Sequence, residues 1–474
     1  MWMDVSLALL LTDLAICLLM LFIVPRNRGP AAATAWLLLI FFVPIGGLVL
    51  YLLIGRNPLP RRRVKHHQRI LESVKQVRQR LNESPNTVSP DLPAGFKGFV
   101  ELAESLSNIP ILGGNDVDFL ADPYEVVDRI VADIESARDH VNLLFYIFQD
   151  DDTGWRVINA LIEAAGRGVE VRLLVDAVGS RSILRRRKLI CQKGIDMRAV
   201  LPVGLFRRRF ARLDVRNHRK IVIVDGQIAW TGSQNIIDPD YGQDGSQFED
   251  TMVRLRGPAV MELQLMFAVD WYFESDELLE QQRFFPEPQR VGQVAAQALP
   301  SGPNFPSENF SRILLAALYA AHHRVVMTTP YFVPDNALLQ AMNTASMRGV
   351  RVDLIVPENT DHLVVDAAGH AYYEQLLKEG VRIYIYKKNN LHSKLFSIDS
   401  QISFVGSSNF DIRSFVLNFE ANMLFYGPEM TERVLAQQEH YLANADELDL
   451  ETWQNRPMLR RFAQNLAKLT SPLL

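Results

Sequence analysis

The sequence predicts an α/β fold made of two duplicated domains that face each other, preceded by two transmembrane helices. Three observations carry this. Two long apolar stretches open the chain, strand and helix patterns alternate after them, and one six-position string of polar residues occurs twice at the same spacing. The length of 474 residues allows two to four folding units at roughly 100–200 residues each. With 22% charged and 48% hydrophobic residues, the chain is neither disordered nor short of core material. Its two cysteines, Cys17 and Cys191, exclude a disulfide framework.

Val5–Val24 carries a single charge, Asp13, and Ala31–Ile54 carries none. At about 1.5 Å per residue each is long enough to cross a hydrocarbon layer of about 30 Å. No basic segment or small-residue cleavage site accompanies the first stretch, so a secretory signal fits it poorly. Residues 1–70 hold eight Lys/Arg against two Asp, a net of +6, so the other 404 residues carry −10 of the total of −4. The turn between the stretches holds Arg26 and Arg28, and the segment after them holds Arg56, Arg61, Arg62, Arg63, Lys65 and Arg69. Lys/Arg bias marks the cytoplasmic side. The expectation is a multi-pass membrane protein with the bulk of the chain, and both its ends, on the cytoplasmic face.

Residues 57–93 read as a basic juxtamembrane helix and linker, after 1–56 with the two spans. A first domain is expected over 94–295, a second over 296–452, and an amphipathic tail over 453–474. Within the first, His140–Phe148 is a strand, Trp155–Gly166 a helix and Gly168–Asp176 an alternating strand. Within the second, Arg324–Phe332, Asn336–Met347 and Gly349–Pro357 repeat that order. Strands alternating with helices imply a mainly parallel sheet with helices on its faces.

The repeated string carries the chemistry. His218, Lys220, Asp225, Gly232, Ser233 and Asn235 recur as His392, Lys394, Asp399, Gly406, Ser407 and Asn409, at the same offsets from the histidine. A His and a Lys two apart on a strand share a face. Fixed positive charge beside an imidazole suits a phosphate whose charge grows in the transition state. One imidazole can attack phosphorus while the other protonates the leaving oxygen. Ser233, Asn235, Ser407 and Asn409 add neutral phosphate-binding donors. Glu249 and Glu420, 31 and 28 residues beyond the histidines, are the candidates to hold a ring nitrogen. His362 and His370 follow Asp361 without a second set at ligand spacing, so no metal site is expected.

These two strings resemble those of the phospholipase D superfamily, and with the apolar opening and segments such as FYIFQDDDTG and TPYFVPD the whole chain resembles the bacterial cardiolipin synthases. The resemblance implies two phospholipase D-like domains, a covalent phosphohistidine intermediate, and no cofactor, metal or nucleotide. It implies His218 as nucleophile and His392 as acid, with Asp225 and Asp399 acting through hydrogen bonds and packing. The implied reaction transfers a phosphatidyl group from one phosphatidylglycerol to another, releasing glycerol. The implied partners are phosphatidylglycerol and anionic membrane lipid rather than nucleic acid, an oligomer is compatible with the pattern, and the implied location is the bacterial cytoplasmic (inner) membrane, multi-pass, with the catalytic domains on the cytoplasmic side. A basic stretch from Arg181 to Lys220 holds fourteen Lys/Arg and two acids, including Arg185–Lys188 and Leu205–Phe210, and suits an anionic surface. A phospholipase using water, or a nucleic-acid-binding protein or nuclease of the same superfamily, would use the same strings.

Overall fold

The computed structural model describes residues 2–27, 29–55, 74–203, 214–240, 246–305, 308–360 and 362–469. They belong to two compact units, one drawn from residues 1–62 and 203–215, the other from residues 63–202 and 216–474. The cluster Leu205–Phe210 and most of the basic segment after residue 55 lie outside the described residues.

The first unit contains α1 (Trp2–Asn27), α2 (Pro30–Phe42), α3 (Pro44–Leu50) and a π-helical turn at Tyr51–Gly55. Cys17, Met20 and Val24 of α1 pack with Ala33, Ile40 and Tyr51, while Leu7, Leu10, Leu14, Leu18 and Phe22 face outward. The second apolar stretch is not one helix. Pro44 supplies no N–H and disfavours a helical residue before it; Val43 accordingly sits at φ −137°, ψ 74°. Gly47 then lets α3 lie close to α2, since a Cβ there would fall 2.8 Å from the Ile40 Cα. The pieces Ala32–Phe42 and Pro44–Leu53 are each too short to cross a bilayer. Among the described residues one helix, Leu7–Asn27, is long and apolar enough to do so. The expectations of two transmembrane helices and a multi-pass protein are therefore corrected to one such helix. The orientation argued from two crossings falls with them.

In the second unit, fifteen strands among the described residues form one sheet. In chain order they are β1 (Leu112–Leu120), β2 (His140–Phe145), β3 (Glu170–Asp176), β4 (Ile195–Val200), β5 (Ile221–Val224), β6 (Ile228–Gly232), β7 (Met252–Arg256) and β8 (Val294–Ser301). Then follow β9 (Arg324–Thr328), β10 (Arg351–Pro357), β11 (Arg382–Tyr386), β12 (Leu395–Ile398), β13 (Ile402–Gly406), β14 (Glu420–Tyr426) and β15 (Ala445–Glu447). Read outward from the centre, one half runs β1-β7-β6-β5-β2-β3-β4 and the other β8-β14-β13-β12-β9-β10-β11, with β15 added at the second edge. The two orders correspond strand for strand, which is the duplication made visible. β1 and β8 join the halves as antiparallel neighbours, Leu112 opposite Ala296.

Only the outer three strands of each half, β2-β3-β4 and β9-β10-β11, are parallel. The strands that follow the His-x-Lys strings pair antiparallel with their neighbours. The sheet is mixed rather than mainly parallel, because β5-β6 and β12-β13 are hairpins, and a hairpin joins antiparallel strands.

Helices α4 (Lys97–Ser107), α5 (Pro123–Ser136), α6 (Asp152–Gly166), α7 (Val260–Ser275), α8 (Asn309–Ala320), α9 (Asn336–Met347), α10 (Leu363–Lys378), α11 (Pro428–Ala443) and α12 (Met458–Lys468) accompany the sheet. Asp151 and Asp335 cap α6 and α9 at equivalent places, each accepting from a backbone N–H three residues on. α5 and α6 cover the first half around Ile130, Ile158, Leu161 and Leu173. α8, α9 and α10 cover the second around Leu314, Met342, Leu354 and Leu376. α4 precedes the first half in sequence yet buries Phe96, Phe99 and Ala103 in the second half's core. The Phe99 ring stacks on Phe404 at 6.0 Å.

Phe99→Ala should therefore cost about 3–5 kcal/mol, seen as a lower midpoint in chemical denaturation. An unchanged midpoint would place α4 elsewhere.

Candidate active site

Each histidine string lies on a segment just before a hairpin strand, and each segment is tied to the opposite half. Asn217 bridges Phe419, and His218 N donates to Phe419 O at 2.8 Å. Asn390–Leu391 pairs with Phe248–Glu249, and His392 N donates to Glu249 O at 2.9 Å. Within each string the alternation expected of extended chain holds His and Lys together. Lys220 Nζ donates to His218 O at 2.7 Å, and Lys394 Nζ to His392 O at 2.6 Å. The residues between them turn away. Arg219 meets Asp270 at 2.7 Å, and the Ser393 hydroxyl donates to Glu249 O at 2.9 Å.

The imidazoles are held by carboxylates, and the pairing is crossed. His218 Nδ1 lies 3.0 Å from Glu420 Oε2 and 3.0 Å from Ser407 O, both in the second half. His392 Nδ1 lies 2.7 Å from Asp250 Oδ1, in the first. An ionised carboxylate only accepts, so the proton sits on Nδ1 and Nε2 keeps its lone pair. Both carboxylates are ionised. Burial pushes Glu420 up, but His218, Lys220 and Ser407 outweigh it and hold it below its ordinary value. Burial pushes Asp250 up likewise, and His392, Lys394 and Ser233 bring it well below.

Burial also shifts the cations. His218 is pushed down to about 4 by desolvation, with Glu420 opposing and Lys220 adding to the fall. His392 is lowered for the same reasons, Asp250 opposing and Lys394 adding. Lys220 is lowered to about 7 by desolvation, against the pull of Glu420. A buried ammonium this close to neutrality is stabilised by an anion that enters beside it.

Both rings line one cavity of about 550 Å³, together with Tyr146, Asn235, Asn409 and Arg413. Tyr146 packs its ring 4.8 Å from His218 and 5.5 Å from Lys220 Nζ. Phe248 meets His392 at 5.7 Å. Asn235 Oδ1 accepts from Ile147 N, whereas Asn409 Oδ1 is buried without a hydrogen-bond partner among the described residues. The serines stand behind the carboxylates: Ser407 Oγ donates to Glu420 Oε2 at 2.5 Å, and Ser233 bonds Asp250.

Other expected residues lie apart from the cavity. Asp225 takes the backbone N–H groups of Arg138, Asp139 and His140, and Asp399 those of His322, His323 and Arg324. Both have positive φ, 53° and 49°, so each closes a hairpin turn and pins the start of β2 or β9. Glu249, expected at a ring nitrogen, instead accepts from the Tyr386 hydroxyl and Asn389 Nδ2, each at 2.7 Å. Asp250 was missed because it is Glu249's neighbour, and only strand register separates them. Thr251 and Ala421 each exchange backbone bonds with the string serine, which makes Asp250 the counterpart of Glu420. Tyr146 stands in the segment FYIFQDDDTG with nothing to single it out there, and Arg413 carried no sequence signal. His362, set aside as a metal ligand, lines the cavity and packs on Tyr331 at 5.6 Å.

Paired, carboxylate-held imidazoles on one cavity, each beside a buried lysine and supplied by the two halves of one duplicated sheet, define a phospholipase D-type enzyme. The comparisons agree. A family model described as "Cardiolipin synthase, PLD-like domain" matches residues 130–271 and 314–442, and one described as "Phospholipase_D-nuclease N-terminal" matches residues 14–56. Cardiolipin synthase A of Proteus mirabilis (strain HI4320) is 35% identical over 467 residues, 96% of this chain and 95% of that one. Cardiolipin synthase A of Pectobacterium atrosepticum is 35% identical over 465 residues, 95% of each chain. Phosphatidylserine synthase of Haemophilus influenzae shares the fold, with a TM-score of 0.61 at 14% identity over 79% of this chain and all of that one. The chain belongs to the bacterial cardiolipin synthase family of the phospholipase D superfamily, and is an enzyme of the phosphatidyltransferase type.

Two outcomes follow from the geometry. Asp250→Asn should lower kcat by about 10²–10⁴-fold, through loss of the charge that fixes the tautomer, while Glu249→Gln stays within a few-fold in the same steady-state assay. The acid limb of kcat/KM should fall near pH 4, not near 6.5, because the His218 ring stays neutral until then; a pH profile checks this.

Proposed function

We propose that the enzyme transfers a phosphatidyl group from one phosphatidylglycerol to another, giving cardiolipin and glycerol. The observation that supports this most is the crossed pairing of His218 with Glu420 and His392 with Asp250, which leaves a lone pair on the Nε2 of each ring at one cavity. In the first half-reaction His392 first takes up a proton on Nε2, an imidazolium that Asp250 stabilises; His218 Nε2 then attacks phosphorus, the P–O bond to glycerol breaks, and the His392 Nε2 proton passes to the leaving oxygen, leaving that ring neutral. In the second, His392 takes the proton of the acceptor's terminal hydroxyl, that oxygen attacks phosphorus, and the P–N bond breaks. One phosphodiester replaces another, so no nucleotide is consumed. Lys220 and Lys394 offset the charge that grows on the phosphoryl oxygens. Asn409 Oδ1, buried at the cavity without a partner among the described residues, is available to accept from the acceptor's glycerol hydroxyl.

Favouring a lipid alcohol over water is the demand on the protein. Carbon-lined walls from Tyr146, Phe248, Tyr331 and Val333 keep the reacting centre dry. An apolar helix able to cross the bilayer keeps the acceptor at high local concentration.

Purified protein given phosphatidylglycerol, a chelator and no CTP should form cardiolipin and glycerol in equal amounts. His218→Ala and His392→Ala should each lower turnover by about 10³-fold or more. Phosphatidic acid as the dominant product, or full activity in either variant, would overturn the proposal.

A further inference from the structure

α12 is built inside out for a helix at the edge of a soluble domain. Its polar side faces the protein. Gln464 is 2% exposed and accepts from Arg456 Nε at 2.9 Å. Arg456 and Arg461 reach Glu374 of α10 at 3.2 and 3.5 Å, Arg460 lies over the Trp453 ring, and Lys468 Nζ sits 4.2 Å over the ring of Tyr372. The opposite side carries Leu459, Phe462, Leu466 and Leu469 at spacings of three and four, with Met458 beside them. All five are between 56% and 88% exposed. A helix docked for its own domain's stability would bury that stripe and leave its arginines in water. Here Gln464 and Lys468 face the domain, Arg460 and Arg461 sit exposed at the rim, and a continuous apolar stripe is turned outward.

Two further observations say what covers the stripe. Residues 456–469 contain Arg456, Arg460, Arg461 and Lys468 and no acid, so the helix favours an anionic partner. The helix it docks on, α10, begins at the catalytic cavity: His362 and Val365 line the cavity, and between them Leu363 and Val364 are exposed. One helix therefore links the outward apolar stripe to an apolar lip at the cavity.

We propose that α12 lies in the surface of an anionic lipid bilayer, its apolar stripe inserted among the acyl chains, and holds the lip of the cavity at the lipid headgroups. Burying the five side chains is the driving force, at roughly 25 cal/mol per Å² of apolar surface removed from water. The basic residues flank the stripe at headgroup depth. This is an interfacial contact separate from the apolar helix of residues 7–27. It concerns where the second unit meets lipid, so it stands whether or not the proposed reaction is correct.

The test uses the full chain in vesicles of phosphatidylglycerol and phosphatidylethanolamine. A spin label is placed at Leu466→Cys in a Cys17→Ser, Cys191→Ser background, and its accessibility to oxygen and to a water-soluble nickel chelate is measured. The expected result is a label that oxygen reaches and the chelate does not, with a control label at the buried-side position Gln464→Cys shielded from both. A label open to the chelate would overturn the proposal. So would spin–spin broadening at Leu466→Cys, which would mean that a second copy of the chain covers the stripe. The second readout is kinetic. Phe462→Asp with Leu466→Asp, both surface changes, should raise the apparent KM for phosphatidylglycerol in vesicles about tenfold, with turnover on a short-chain, monomeric phosphatidylglycerol unchanged. An equal loss on both substrates, or no loss on either, would contradict it.

Discussion

A buried imidazole needs an acceptor for its Nδ1 proton, and in this chain each acceptor belongs to the other half of the duplication. Glu420 serves His218 and Asp250 serves His392. Neither half can orient its own histidine, so a single half has no working site however well it folds. The antiparallel junction of β1 with β8, and the short pairings of residues 217 with 419 and 390–391 with 248–249, set the register that brings each ring to its partner.

The same arrangement concentrates charge where water is scarce. Two carboxylates, two lysines and two imidazoles share a small buried volume: the carboxylates are met by the rings and the string serines, and each lysine by the backbone carbonyl of its string histidine. Removing one member leaves the next uncompensated, which is far costlier than the pair is stabilising. Lys220 is buried beside the two rings, and that burial depresses it to about 7. An anion that enters beside it offsets that cost, so in the proposed reaction a phosphodiester would supply the charge the lysine lacks.

The duplication was legible in the sequence because two strings kept one spacing, and spacing survives where surrounding residues diverge. The carboxylate partners were half legible. Glu420 stands alone at its position, whereas Glu249 and Asp250 are adjacent, and a one-residue choice depends on strand register that composition does not carry. The strings read as extended chain, but alternation on one strand does not fix the direction of its neighbours, so the antiparallel hairpins at β5-β6 and β12-β13 were not legible and a mainly parallel sheet was expected. The second apolar stretch failed for a different reason. Length and hydropathy counted its residues, but Pro44 and Gly47 decide its shape, folding it into two short helices. The side that α12 turns outward was half legible: Leu459, Phe462, Leu466 and Leu469 stand at helical spacing, but periodicity left packing on the domain and lying in a bilayer surface equally open.

An experimental structure with vanadate bound tests the central claim most directly. A five-coordinate vanadium with the Nε2 of one histidine on its axis, and the oxygen at the opposite apex bonded to the Nε2 of the other, is the expected result, with Glu420 and Asp250 still on the Nδ1 atoms. Vanadate held by one ring alone, or either carboxylate bonded to the histidine of its own half, would contradict it.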